Sequence, residues 1–68
     1  MNAKQREAIA KAIKTPLCNI GIFSNVKNAL SFSSHAVKLS PVMHVNDEYW
    51  VVSMAEAARL EKLGYKWI

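Results

Sequence analysis

Cys18, His35 and His44 are the residues of this 68-residue chain whose types could do covalent or metal chemistry. A cysteine attacks as a thiolate only when a nearby base takes its proton, and a group such as Asp47 would have to orient that base. His35 follows Cys18 by 17 residues and His44 follows His35 by 9, and no local motif supports a nucleophile–base pair. One Cys and two His at those spacings match no zinc pattern. Cys18 lies in the alternating apolar run LCNIGIF and reads as a small buried hydrophobe. His35, beside Ser31, Ser33 and Ser34, reads as a surface residue, and His44 as a half-buried residue on a strand. Gly21 and Gly64 are the only glycines, so no glycine-rich phosphate loop is present. Asp47 and Glu48 are adjacent in a turn and read as solvated carboxylates. The expectation is a non-enzymatic chain, with no catalytic residue, no metal ligand set and no cofactor.

The remaining chemistry is that of binding. Net charge is +4, and it is unevenly placed. Lys4, Arg6, Lys11, Lys14, Lys27 and Lys38 stand against Glu7 alone in residues 1–40, while the rest of the chain is slightly acidic. Such asymmetry points toward a polyanion partner. Lys4, Lys11, Lys14 and Lys27 are therefore candidate phosphate-binding residues, with a solvated helix face as the competing reading. Both tryptophans and both tyrosines fall between Tyr49 and Trp67. Tyr and Trp are enriched at interface hot spots, so Tyr49, Trp50 and Trp67 are candidate partner-binding residues. The bland alternative is that the C-terminal half simply builds the core.

The elements that must position these groups can be read from local patterns. Residues 2–14 predict a helix: alanines and lysines are strong helix formers, Lys4 and Lys11 share one face, and Ile9 and Ile13 lie opposite. Thr15-Pro16 is expected to end it. Residues 17–23 read either as a short strand or as a short helix starting at Pro16. Residues 25–37 predict a second helix capped by Ser24 or Asn25, with Val26, Ala29, Leu30 and Val37 on one face.

Residues 42–53 predict a β-hairpin turning at Asn46-Asp47 through a type I′ turn. In that register Met43 faces Trp50 and His44 faces Tyr49. One face then carries Met43, Val45, Trp50 and Val52, and the other Val42, His44, Tyr49 and Val51. Both faces are largely apolar, so both need cover. Helices of the chain are expected on one face, and a homodimer partner or a target on the other. Ser53 and Glu56 form an S-x-x-E capping box for a last helix, which Gly64 stops. Tyr65, Trp67 and Ile68 are expected to fold back on the hairpin, because leaving them wet costs about 25 cal/mol per Å².

The fold expectation is thus α+β, in a single domain over residues 1–68: helix, short strand, helix, hairpin, helix, with the helices on one face of a small sheet. The longest uncharged stretch is too short to cross a bilayer, and the charged N-terminus lacks an apolar signal region. With one cysteine, a reducing compartment fits best, so the expected location is cytoplasmic.

A very short basic chain ending in a hairpin and a capped helix resembles the small accessory proteins encoded by phages and other mobile elements. That resemblance implies a protein that inhibits or redirects a larger host machine. The leading expectation is a regulatory protein docking on a protein or ribonucleoprotein partner. The alternative is nucleic-acid binding, either as a winged helix with 25–37 as recognition helix and the hairpin as wing, or through phosphate contacts from the basic first helix.

Overall fold

The computed structural model describes residues 2–36 and 40–68. Val37 and Lys38, which the sequence reading placed at and beside the end of the second helix, lie outside the described residues. The element order is α1 (Ala3–Ala12), a 3₁₀ turn (Leu17–Asn19), β1 (Gly21–Phe23), α2 (Val26–Ser34), β2 (Val42–Val45), β3 (Glu48–Val51), α3 (Met54–Lys62) and β4 (Lys66–Trp67). The four strands form one antiparallel sheet in the order β1-β3-β2-β4. The class is α+β, as expected.

Each helix is capped at its start by its own sequence, and α1 and α3 are also closed at their ends. Asn2 and Gln5 make a capping box for α1, with Gln5 N–H donating to Asn2 Oδ1 at 2.9 Å and Asn2 N–H to Gln5 Oε1 at 3.1 Å. The α1 helix ends at Ala12, ahead of Thr15-Pro16. Its stop is a Schellman turn: Thr15 N–H reaches Ala10 O, Lys14 N–H reaches Lys11 O, and Lys14 takes φ +58°. The same turn closes α3, where Gly64 at φ +99° does the job without strain. Ser53 and Glu56 form the predicted capping box at the start of α3, and Asn25 caps α2.

The hairpin has the predicted register, Met43 opposite Trp50 and His44 opposite Tyr49. Its turn differs from the expected type. Positive φ occurs at Asn46 (+55°) and not at Asp47, the pattern of a type II′ turn. Residues 17–23 resolve into both alternatives, a 3₁₀ turn followed by a three-residue strand. The C-terminal residues do fold back: β4 pairs with β2, setting Trp67 opposite Met43 and Lys66 opposite His44.

Alternation along the strands gives the sheet two faces. Met43, Val45, Trp50 and Ile22 point to one, where they pack with Ala10 and Ile13 at the end of α1 and with Ala57 and Leu60 of α3. Val42 and Val51 point to the other and are buried under Ala29 of α2. The expectation of helices on one face therefore holds for α1 and α3 only. The second apolar hairpin face, expected to meet a homodimer partner or target, is covered largely by α2. A chain this short buries a smaller fraction of its surface than a larger domain does, and splitting its helices across the sheet lets it cover both apolar faces itself. The hairpin strands become the two central strands, so they do not form the wing that the winged-helix reading requires.

Candidate functional site

Trp50 is the centre of the molecule. It is 0% exposed, and its indole N–H donates to Glu48 Oε1 at 3.3 Å. It offers no surface to a partner, which corrects its assignment as a contact residue. The sequence could not separate a core tryptophan from an interface one, because both sit on apolar strands.

Glu48 is the second correction. It is buried, and Arg6 of α1 grips it, donating from Nε to both carboxylate oxygens at 3.1 and 3.0 Å and from a terminal guanidinium nitrogen to Oε2. These bonds hold the Glu48 carboxyl below its usual range, against the opposing effect of burial, with the Trp50 bond helping. The pair ties α1 to β3. The register did imply that Glu48 and Trp50 share a face, and that was the signal available.

Trp67 stays on the surface, 42% exposed. Two constraints fix it there: the β4–β2 pairing and a hydrogen bond from its indole N–H to Glu61 of α3. Met54 lies on the same flank of α3 as Glu61, seven residues or about two turns away, and is also exposed. Leu63, on another flank, is exposed too. The stripe predicted from Met54, Ala57, Leu60 and Leu63 is therefore buried only at its middle pair.

Tyr49 belongs to the opposite face. Across the sheet, in strand order, the register aligns Phe23, Tyr49, His44 and Lys66 in one row. The Tyr49 and His44 rings stack, with centroids 4.9 Å apart and planes within 10°. Phe23 instead leans on Phe32 of α2 at 5.4 Å. Gly21 makes room for this pair, since a Cβ there would meet Phe23 at 3.2 Å and Phe32 at 3.5 Å. The α2 helix covers the β1–β3 part of this face, so Phe23 and Tyr49 are half-buried while His44 and Lys66 are exposed. His44 is thus more open than the sequence suggested.

The basic candidates divide between the two sides. Lys4, Lys11 and Lys14 are exposed on or just after α1, and Lys27 is exposed on α2, across the sheet. The structure does not gather them into one patch. Lys66, which sequence reasoning missed, joins the α2 side because alternation along β4 turns it away from Trp67.

The three chemistry-bearing residues stay apart. His35 Nδ1 lies 2.7 Å from the Ser31 carbonyl in its own helix turn. Cys18 is exposed, its thiol 3.8 Å from Asn19 Oδ1; the 3₁₀ turn at 17–19 swings it out of the strand alternation that predicted burial. Among the described residues, no three His, Cys, Asp or Glu side chains cluster as metal ligands would. A cleft of about 380 Å³ beside β1 is lined by Cys18, Phe32, Ser53 and Glu56. Burial pushes the Glu56 carboxyl up, and hydrogen bonds from Thr15 and Ser53 outweigh it, leaving that group below its usual range. A second cleft of about 390 Å³ runs beside Lys11, Thr15 and Leu17.

The fold and these surfaces define a small α+β chain with one ordered aromatic projection and one ring row beside lysines. Comparison with known proteins adds no family: no family model, no curated protein and no solved structure matches the chain. Among the described residues no helix is long and apolar enough to cross a membrane.

Proposed function

We propose that this chain is a small non-enzymatic binding protein that docks on a larger protein or ribonucleoprotein partner, with Trp67 as the anchor. The observation that supports this reading is the setting of Trp67. A large amphipathic ring is held in one position by a strand pairing and a hydrogen bond, yet 42% of it remains in water. Binding through a preorganised ring loses little side-chain entropy, and a buried interface tryptophan is a typical hot spot. Met54, also exposed, extends the apolar surface along the flank of α3 that carries Glu61. Occlusion of a partner's working surface is the mode of action, in keeping with an inhibitor of the phage or mobile-element kind. The lone Cys18 fits a reducing, cytoplasmic setting.

The test is site-specific photocrosslinking in host cells. A benzophenone side chain replaces Trp67 in one variant and the exposed Ala8 of α1 in another. A partner captured from position 67 and not from position 8, and displaced by the parent protein far better than by Trp67→Ala, supports the reading. Loss of a hot-spot tryptophan costs roughly 2 kcal/mol or more, about thirtyfold in affinity. Equal capture from both positions, or equal displacement by both competitors, refutes it.

A further inference from the structure

Hydrogen-bond alternation fixes what the edge strand β1 offers. Val52 N–H bonds Pro41 O, so Met43–Trp50 and Val45–Glu48 are the hydrogen-bonded pairs of the hairpin. Tyr49 and Val51 therefore turn their backbone groups the other way, to Phe23 and Gly21 of β1. Ile22 is left with its N–H and C=O pointing out of the sheet. Among the described residues no strand lies beyond β1 to meet them. Proteins commonly guard such an edge with a lysine or a proline. The β4 edge has Lys66, whereas Gly21-Ile22-Phe23 and the two residues on either side carry neither charge nor proline.

We infer that β1 is the interface of a homodimer. Two copies pair antiparallel about a two-fold axis at Ile22 and join their sheets into one of eight strands. Such an interface must complement itself. Ile22 does so, N–H to C=O in both directions. Beside it Gly21, which has no side chain, stands opposite Phe23 of the second copy. Phe32 leans on Phe23 and is 53% exposed. The α2 helix lies mainly over β3, so the two α2 helices come about 14 Å apart, three strand spacings. Packed helices sit closer, at about 8–10 Å, and the two Phe32 rings fill the difference.

On the other face α3 covers β2 and β4, and α1 takes the β1 side. The α1 helix runs along the strands, with Arg6 on Glu48 near the hairpin turn and Thr15 on Glu56 at the far end. Glu48 is two residues, about 7 Å, from the level of Trp50 and Ile22. The same distance along α1 leads from Arg6 to about Ala10. The axis therefore passes close to the middle of the exposed pair Glu7 and Lys11, which borders a cleft with Pro16 and Leu17 on this flank. It runs α1 antiparallel to its copy and sets each Glu7 opposite Lys11 of the second copy. The contact is thus charge-complementary in a chain of net charge +4. A stable dimer buries at least about 600 Å² per copy, roughly one-eighth of the 4570 Å² surface. The β1 edge with the flanks of α1 and α2 spans all three layers of the fold and supplies that area. The inference does not depend on the docking reading. It leaves one Trp67 at each outer edge, about 34 Å apart, so a docking protein of this form would be bivalent.

The experiment is sedimentation velocity of the purified full chain over a concentration series. The expected result is a single monomer–dimer equilibrium. Ile22→Pro should abolish the dimer while keeping the ladder to β3, because the N–H it removes faces outward. Glu7→Lys and Lys11→Glu should each weaken the dimer roughly tenfold, and the two together should restore it. Those two variants move the net charge in opposite directions, so a general charge effect would strengthen one as it weakened the other. Trp67→Ala, on the far edge, should change the dimer constant by less than about twofold. Circular dichroism checks that each variant stays folded, and if Ile22→Pro does not, the exposed charge pair decides. The inference is overturned if the chain stays monomeric at every concentration, or if it forms open-ended polymers, as β1-to-β4 pairing would. It is equally overturned if Trp67→Ala dissociates the dimer, or if the double charge swap fails to restore it.

Discussion

Glu48 stands beside Asp47 in a hairpin turn, where the sequence suggests a solvated carboxylate, yet it accepts hydrogen bonds from Arg6 and Trp50 beneath the sheet. Its carboxyl is held below the usual value of 4.5. A group whose pKa falls on folding stabilises the fold above its unfolded pKa, and that stability is lost as pH falls through the folded value. The melting temperature should therefore be flat near neutrality and fall below about pH 4.5. Glu48→Gln should melt lower at neutral pH and lose less on acidification, as a pH series of thermal melts would show. Lys14 supplies a second prediction at this scale. A side chain at φ +58° costs roughly 1–2 kcal/mol, partly offset by the extra freedom glycine has when unfolded. Lys14→Gly should stabilise the fold by about 0.5–1 kcal/mol, raising the melting temperature by roughly 4 °C. No change would mean that the Schellman turn at the end of α1 is not formed.

At the scale of elements, α2 is the least predictable piece and the most consequential. Its serines lower helix propensity, and it is held to the sheet by a small contact: Ala29, fully buried over Val42 and Val51. Only a residue that small lets the helix approach the strands. Ala29→Leu should destabilise the protein by roughly 1–3 kcal/mol through overpacking, measurable by urea unfolding. It should also expose Tyr49, detectable as faster quenching of tyrosine fluorescence. The hairpin and α3, by contrast, were legible because local patterns there agree: period-two apolar runs, a turn pair, a capping box and a glycine stop. Residues 17–23 were not, because Gly21 weakens both periods, and the chain uses each over part of the segment. The side of the sheet that α2 takes leaves no mark in its own sequence.

For the whole molecule, Trp50 matters more than any other side chain. It is fully buried in the cluster that joins α1, the sheet and α3. Trp50→Ala should cost roughly 3–5 kcal/mol. Total stability for a chain of this length is on the order of 5 kcal/mol. The variant should therefore lose its cooperative thermal transition and its near-ultraviolet dichroism. Retention of both would mean that the core is not organised around this ring. The same burial makes Trp50 useless for mapping an interface, a task that falls to Trp67.

What the sequence by itself determined is whatever depends on neighbours within a few residues. The capping box at Ser53-Glu56, the stop at Gly64, the hairpin register, the return of the C-terminal residues and the asymmetry of charge all follow from short-range sterics, hydrogen bonding and hydropathy. Tertiary structure alone decided which of two apolar faces each helix covers. That choice rests on contacts between residues such as Ala29 and Val51, or Arg6 and Glu48, far apart in the chain. It buried Trp50, left Trp67 in water, exposed Cys18, and set Lys66 and His44 together on a face from which the carboxylates of α1, α3 and Glu48 are turned away.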